Sequence, residues 1–115
     1  MRHMQRLHTL SVRQLRSRRA SLARQLPDVQ ATLRGALHRQ MRRCGNAGCH
    51  CTEGKLHGPY LYLSVRTGGR SRLVYVPTNV IDEVTRRVDA TGRIGAALAE
   101  ISAINLELLA RGELA

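Results

Sequence analysis

The chain of 115 residues has the length of one domain, and it contains no Phe and no Trp, so aromatic side chains add little area to its core. It has no apolar run near the roughly eighteen residues that a membrane span requires, and its three cysteines cannot all pair with one another, which excludes a membrane-spanning protein and a disulfide framework. We therefore expect a single cytoplasmic domain, without membrane contact, whose thin core is helped by something other than apolar burial.

The formal net charge of +11 is concentrated near the N-terminus. Residues 1–44 contain eleven Arg and one Asp, whereas residues 78–115 contain four Arg and six acidic residues. This asymmetry predicts either a polyanionic partner, usually nucleic acid, or pairing between the two ends of the chain. Nearly all of the basic residues are Arg, which a compositional bias of the genome would also produce.

The first predicted element is a basic helix over residues 9–26. Ser11 is its expected N-cap, Gln14 completes a capping box, and Pro27 ends it. Arg19 points into the apolar arc, so we expect it to reach solvent or to meet a carboxylate. The apolar face of this helix consists of Val12, Leu15, Leu22, Ala23 and Leu26. Its basic face consists of Arg13, Arg16, Arg18 and Arg24.

Residues 33–77 are expected to form a small antiparallel sheet with a loop at residues 44–58. Residues 36–43 suit either a strand or an extended arm, and the pattern leaves both open. Pro59–Thr67 and Arg70–Pro77, separated by Gly68 and Gly69, predict a β-hairpin. Pairing around this turn gives the hairpin two faces. The core face is formed by Leu61, Leu63, Val65, Arg72, Val74 and Val76. The second hairpin face is formed by Tyr60, Tyr62, Ser64, Arg66, Ser71, Leu73 and Tyr75.

A long helix is predicted over residues 79–111, with Asn79 as N-cap and Gly112 as its stop. The segment 89–95 contains two glycines, and it remains open whether the helix there is continuous, bent or divided. The predicted fold class is α+β: an N-terminal helix, a small antiparallel sheet in which residues 36–43 are a candidate third strand, and a long C-terminal helix.

Three thiols and an imidazole fall close together at Cys44, Cys49, Cys51 and His57. A Cys3His set is a standard tetrahedral ligand set for a structural Zn²⁺ ion, and it leaves no open position for catalysis. Three thiolates around a divalent ion leave one negative charge, which nearby Arg and Lys side chains would offset. His50 is an alternative fourth ligand, and three reduced cysteines without a metal are the alternative to zinc.

The chain resembles a family of short bacterial proteins classed as a domain of unknown function in its run RRCGNAGCHCTEGKLHGPYLYLSVRTGGRSRLVYVP, followed by a helix that contains INLELL. The resemblance covers about residues 33–110, and the family signature is CG...CxC...HGPYYYL. The resemblance implies that the gene for this chain belongs to a family whose genes often lie near mobile elements. Leu61 departs from the family signature, in which a third aromatic residue is common at this position. The implied signature residues are Cys44, Cys49, Cys51, His57, Gly58, Pro59 and Tyr60.

The leading functional hypothesis is a zinc-stabilised, non-enzymatic accessory protein that binds nucleic acid, with DNA expected ahead of RNA. Its phosphate contacts would come from arginines and its base stacking from the second hairpin face. The tyrosines could equally be covered by the terminal helices. The predicted contact residues are Arg13, Arg16, Arg18, Arg39, Arg42, Arg43, Tyr62, Arg66 and Tyr75.

The alternative hypothesis is a protein-interaction module, or a homodimer formed through the terminal helices. In it, Glu100 or Glu107 meets Arg19, and surplus apolar surface contacts a second copy or a larger partner. An enzyme with a Cys nucleophile and a His base is a third class. We expect no catalytic residues, because no cysteine is separable from the metal set.

Overall fold

A computed structural model describes residues 6–43, 48, 54 and 56–115. Its main elements are α1 (Val12–Arg24), β1 (Ala36–Arg42), β2 (His57–Thr67), β3 (Arg70–Val76) and α2 (Ile81–Ala110). Short 3-10 turns lie at Leu7–Thr9, Val29–Ala31 and Thr78–Val80. The architecture is α+β, with an N-terminal helix, an antiparallel sheet and a long C-terminal helix, which confirms the predicted class.

The chain divides into two compact units. One, the terminal unit, combines the chain up to Ala31 with Ala90–Ala115, and the other, the sheet unit, is Thr32–Asp89. In the part of the chain that the structure describes, no helix is both long and apolar enough to cross a membrane.

The sheet unit contains three antiparallel strands in the order β1-β2-β3. Leu61 pairs with Val76 and Tyr62 with Tyr75 around a two-residue turn at Gly68 and Gly69, which confirms the predicted hairpin register. Residues 36–42 form a strand rather than an arm, because they pair with β2 along most of their length.

The core of the sheet unit is smaller than the predicted core face. Leu63 and Val76 are buried, whereas Val74 is 38% exposed and Arg72 is exposed. Alternation along the strands correctly assigned these side chains to one face. It did not show how much of that face is covered.

The terminal unit has its own core of Leu7, Leu15, Ile104 and Leu108. Val12 and Leu22 pack against it, as the apolar face of the first helix predicts, but Ala23 is exposed. Leu7 belongs to a 3-10 turn that is too short to leave a periodic pattern in the sequence.

Helix α1 begins at Val12 rather than at residue 9, behind a complete capping box. The amide of Gln14 donates to Ser11 Oγ at 3.1 Å, and the amide of Ser11 donates to Gln14 Oε1 at 2.9 Å. These two bonds satisfy backbone donors that the first turn of a helix leaves without a partner.

Helix α2 is continuous from Ile81 to Ala110, so the segment 89–95 does not divide it. Neither Gly92 nor Gly95 has a positive φ angle, so both glycines are accommodated in the helix. The prediction of Asn79 as N-cap is wrong, because Asn79 lies inside the 3-10 turn that precedes the helix.

Candidate functional site

Three tyrosines cluster on one side of the sheet, and we call this side the tyrosine face. The rings of Tyr62 and Tyr75, which are register partners, lie 5.7 Å apart between centroids in an edge-to-face arrangement. Tyr60 lies two residues before Tyr62, and its ring centroid is 6.5 Å from that of Tyr75. Tyr75 is 49% exposed, so the cluster presents aromatic surface to solvent.

Cationic side chains border these rings. The Arg42 guanidinium carbon lies 4.6 Å from the centroid of the Tyr62 ring, which is within the range of a cation–π contact. Arg42, Arg43 and His57 line a concavity of about 290 Å³ together with the three tyrosines. No acidic side chain belongs to the described residues that line it.

A local irregularity in β2 brings His57 into this concavity. Gln40 pairs with Tyr60 but Arg42 pairs with His57, so β2 contains one extra residue in this interval. An extra residue reverses the alternation of side chains beyond it. Gly58, with φ of 121°, permits the bulge, because an added Cβ would lie 2.9 Å from the carbonyl oxygen of Gln40.

The predicted nucleic-acid contact residues of the sheet lie on two different faces. Arg66 lies four residues after Tyr62 on the same strand and is exposed, so it extends the tyrosine face. Arg39 pairs with Leu61, and alternation therefore places it on the opposite face from Arg42. The run that contains Arg39, Arg42 and Arg43 does not form one continuous basic surface.

The predicted helix residues belong to the terminal unit, and two of them have acidic partners. Arg18 donates to both carboxylate oxygens of Glu100, with Nε–Oε2 at 2.6 Å and Nη2–Oε1 at 3.1 Å. Arg16 contacts the Glu113 carboxylate at 3.5 Å and also donates to the main-chain oxygens of Glu113 and Ala115. Arg13 is exposed.

Arg19, the basic residue in the apolar arc, donates from Nη1 to Asn105 Oδ1 at 2.7 Å. Its partner is therefore a side-chain amide and not the predicted solvent or carboxylate. Glu107 accepts from Arg111, with Nε–Oε1 at 2.9 Å.

Of the predicted metal ligands, Cys44, Cys49 and Cys51 lie outside the described residues. His57 is half-buried at the beginning of β2. Among the described positions, no group of three or more His, Cys, Asp or Glu side chains could hold a metal ion. The zinc set therefore stays a prediction from the sequence.

Two residues of this site have a different role in the prediction from the sequence. His57 is predicted there only as a metal ligand, and Tyr60 lies on the second hairpin face but is not among the predicted contact residues. Tyr60 follows directly from strand alternation with Tyr62. The position of His57 depends on the bulge, for which the adjoining Gly–Pro pair is the one signal in the sequence.

The comparisons with known proteins identify the family without naming an activity. No curated protein and no solved structure matches the chain. The family model described as "Domain of unknown function (DUF6788)" matches residues 12–86, which include α1 and all three strands. The chain therefore belongs to the DUF6788 family.

Proposed function

We propose that this chain binds nucleic acid through the tyrosine face, with unpaired bases stacked on the tyrosines and phosphates held by Arg42, Arg43 and Arg66. The observation that carries the proposal is the group of three tyrosines around a concavity with two arginines and, among its described lining residues, no acidic side chain. Aromatic rings beside cations are the combination with which proteins hold single strands, because every base offers a π face and every linkage a negative charge.

We expect the tyrosine face to bind single-stranded nucleic acid more tightly than duplex. A base must leave its own stack before a tyrosine can stack on it, and in a duplex that costs pairing energy. DNA ahead of RNA remains a prediction, and the same assay with both polymers decides it.

The helix arginines are expected to contribute less than those of the sheet. The Arg18 charge is compensated by Glu100, and Arg16 is engaged by Glu113 and the C-terminal main chain. A phosphate would have to displace these partners. Arg13 is exposed, and no ion pair among the described residues competes there with a phosphate.

A structural zinc ion belongs to this proposal as a support for the β1–β2 connection. Cys44, Cys49, Cys51 and His57 supply the thiolates and imidazole that Zn²⁺ prefers. His57 borders the tyrosine face, so a metal bound there would hold one wall of the concavity. Arg42 and Arg43 would offset the negative charge of the three thiolates. The accessory role near mobile elements, which the family resemblance implies, is compatible with such a module.

The test is fluorescence anisotropy with labelled single-stranded DNA, single-stranded RNA and duplex DNA at several salt concentrations. We expect the affinity for single strands to fall steeply with salt, because bound phosphates release counterions. Tyr75→Leu should weaken binding by about 5- to 150-fold, since stacking on one base contributes about 1–3 kcal/mol. Tyr75→Phe is the matched control, because it keeps the ring and should bind within about twofold of the parent.

A second pair of variants separates the two sheet faces. Arg42→Gln should reduce the salt slope by about one unit, whereas Arg39→Gln, on the opposite face, should leave it nearly unchanged. Binding that is absent or insensitive to salt would refute the proposal. Equal effects of Tyr75→Leu and Tyr75→Phe would refute the role of stacking.

The alternative of a protein-interaction module has its own support in α2. Leu98, Leu106 and Leu109 are 55%, 66% and 57% exposed. At about 100° per residue, Leu106 lies opposite Ile104 and Leu108, and Leu98 and Leu109 lie on the adjoining flank of the helix. Exposed apolar surface of this kind often marks a contact with another protein. A stable dimer by light scattering, combined with indifference to nucleic acid, would favour this function instead.

A further inference from the structure

Strand β3 is an edge of the sheet, and it is open to solvent along almost all of its length. Six of its seven residues are exposed. Apolar side chains are exposed on both of its faces, with Leu73 at 48%, Val74 at 38% and Tyr75 at 49%. An exposed apolar edge strand is a template for pairing with another strand, and proteins normally cover or blunt such edges.

The register of the hairpin shows which backbone groups form this template. Thr67 and Arg70 flank a two-residue turn, so they are a hydrogen-bonded pair, and such pairs then recur at every second residue. The main-chain groups of Arg72 and Val74 therefore point towards β2. Those of Ser71, Leu73 and Tyr75 point outwards, where an incoming strand would find them.

A groove accompanies this edge on the Val74 side of the sheet. It encloses about 860 Å³ within the sheet unit, and Leu63, Val74, Val76 and Val84 give it an apolar lining. Arg34, Arg66 and Arg72 also line it, while none of its described lining residues is acidic. An occupant that is apolar at one end and acidic at the other complements this surface.

We propose that the β3 edge binds an extended acidic segment of a partner protein, which adds a fourth strand to the sheet. In an antiparallel orientation, apolar residues of the segment would lie opposite Val76 and Val74 and acidic residues opposite Arg72 and Arg70. The segment then reads apolar-x-apolar-x-acidic-x-acidic, because alternate residues face the groove. This partner site uses the backbone edge and the Val74 side of the sheet. It shares Arg66 and Tyr75 with the proposed nucleic-acid site, whereas Arg72 and Leu73 belong to the partner site alone.

A second copy of this chain fits the edge less well than an acidic segment. In a fully overlapping antiparallel pair of β3 edges, Arg70 and Arg72 of one copy would lie opposite Val76 and Val74 of the other, and neither strand carries a carboxylate that could meet these arginines. Charge complementarity therefore selects a partner that supplies the acidic residues.

The test uses a fluorescein-labelled peptide with valines opposite Val76 and Val74, glutamates opposite Arg72 and Arg70, and threonines between them. We expect the full-length protein to bind it in anisotropy titrations. Leu73→Pro removes an outward N–H group while sparing the ladder to β2, and it should weaken binding by roughly tenfold or more. Leu73→Ala, which keeps that N–H, is the matched control and should retain most of the affinity. Thermal melting checks that both variants are folded.

A second arm tests the charge complementarity independently of the proline variant. Arg72→Glu should weaken binding of the glutamate peptide by roughly tenfold, and a peptide with lysines in place of the glutamates should then bind better to this variant than to the parent. Failure of the parent to bind the glutamate peptide would overturn the proposal. So would equal affinity for the lysine peptide, equal effects of Leu73→Pro and Leu73→Ala, or a dimer by light scattering that Leu73→Pro dissolves.

Discussion

Arg18 and Glu100 form an ion pair whose two members differ sharply in exposure. Glu100 is the only charged side chain that is buried among the described residues, whereas the Arg18 side chain is 39% exposed. Hydrogen bonding to the carboxylate raises the pKa of Arg18 above its ordinary value. A raised pKa means that the contribution of Arg18 to stability is complete below the ordinary Arg value and is lost only at still higher pH. Arg18 therefore keeps its positive charge, and so its ion pair with Glu100, throughout the neutral pH range.

Replacing Arg18 by Met should lower the free energy of unfolding by about 1–3 kcal/mol. Removal of one partner from a buried pair costs about 3–5 kcal/mol, and the partial exposure of Arg18 reduces that cost through solvent screening. Arg16→Met is the matched control, because the Arg16–Glu113 contact is exposed on both sides and should contribute less than about 1 kcal/mol. Urea denaturation measures both values, and equal losses would contradict the assignment.

At the scale of elements, the hairpin and the first helix were predictable because local residues specify them. A two-glycine turn sets the register of β2 and β3, and the Ser11–Gln14 capping box sets the beginning of α1 to within a few residues. Both signals act over short distances in the sequence.

The faces of β1 were not predictable in the same way. Arg39 and Arg42 look like members of one basic run, yet alternation and the bulge at Gly58 place Arg39 away from the tyrosines and His57 among them. This outcome depends on pairing between strands that are separated by residues 43–56. The burial of Leu7 is similar, since it depends on α2 at the other end of the chain.

Two glycines with different surroundings should respond in opposite directions to alanine. At Gly35 an added Cβ would lie 2.6 Å from Leu63 Cδ1 and 2.8 Å from the Ser64 carbonyl oxygen, so Gly35→Ala should destabilise the protein by about 1–3 kcal/mol. At Gly92, inside α2, an added Cβ meets nothing within 4 Å, and Gly92→Ala should stabilise it by about 0.5–1 kcal/mol. Thermal melting measures both, and a shift of the same sign at the two sites would refute the comparison.

Across the whole molecule, the charge asymmetry of the sequence has a partial internal explanation. Within the terminal unit, Arg16 and Arg18 near one end of the chain contact Glu113 and Glu100 near the other. Pairing between the ends, which the composition offered as one of two alternatives, is therefore confirmed for these residues. The arginines of the sheet unit carry the case for a polyanionic partner.

Zinc removal is the test of the predicted metal site. We expect the purified protein to contain one zinc ion per chain, and a chelator to lower its melting temperature, because the binding free energy of a structural ion is folding free energy. Cys51→Ser and His57→Ala should lose the metal, whereas His50→Ala should retain it. Protein that contains no metal, and that melts unchanged with chelator, would refute the ligand set.

The way the terminal unit is assembled bears on how a shorter version of this protein would behave. The family match ends at residue 86, whereas Ile104 and Leu108, against which Leu15 packs, lie beyond it. A fragment cut at the family boundary would keep α1 and discard the surface that buries it. We expect residues 12–86 expressed alone to expose Leu15 and to aggregate, while the full 115-residue chain, which keeps Leu7, Ile104 and Leu108, stays monodisperse by size-exclusion chromatography. Expression boundaries for this chain should therefore enclose both packed helices rather than only the residues that match the family model.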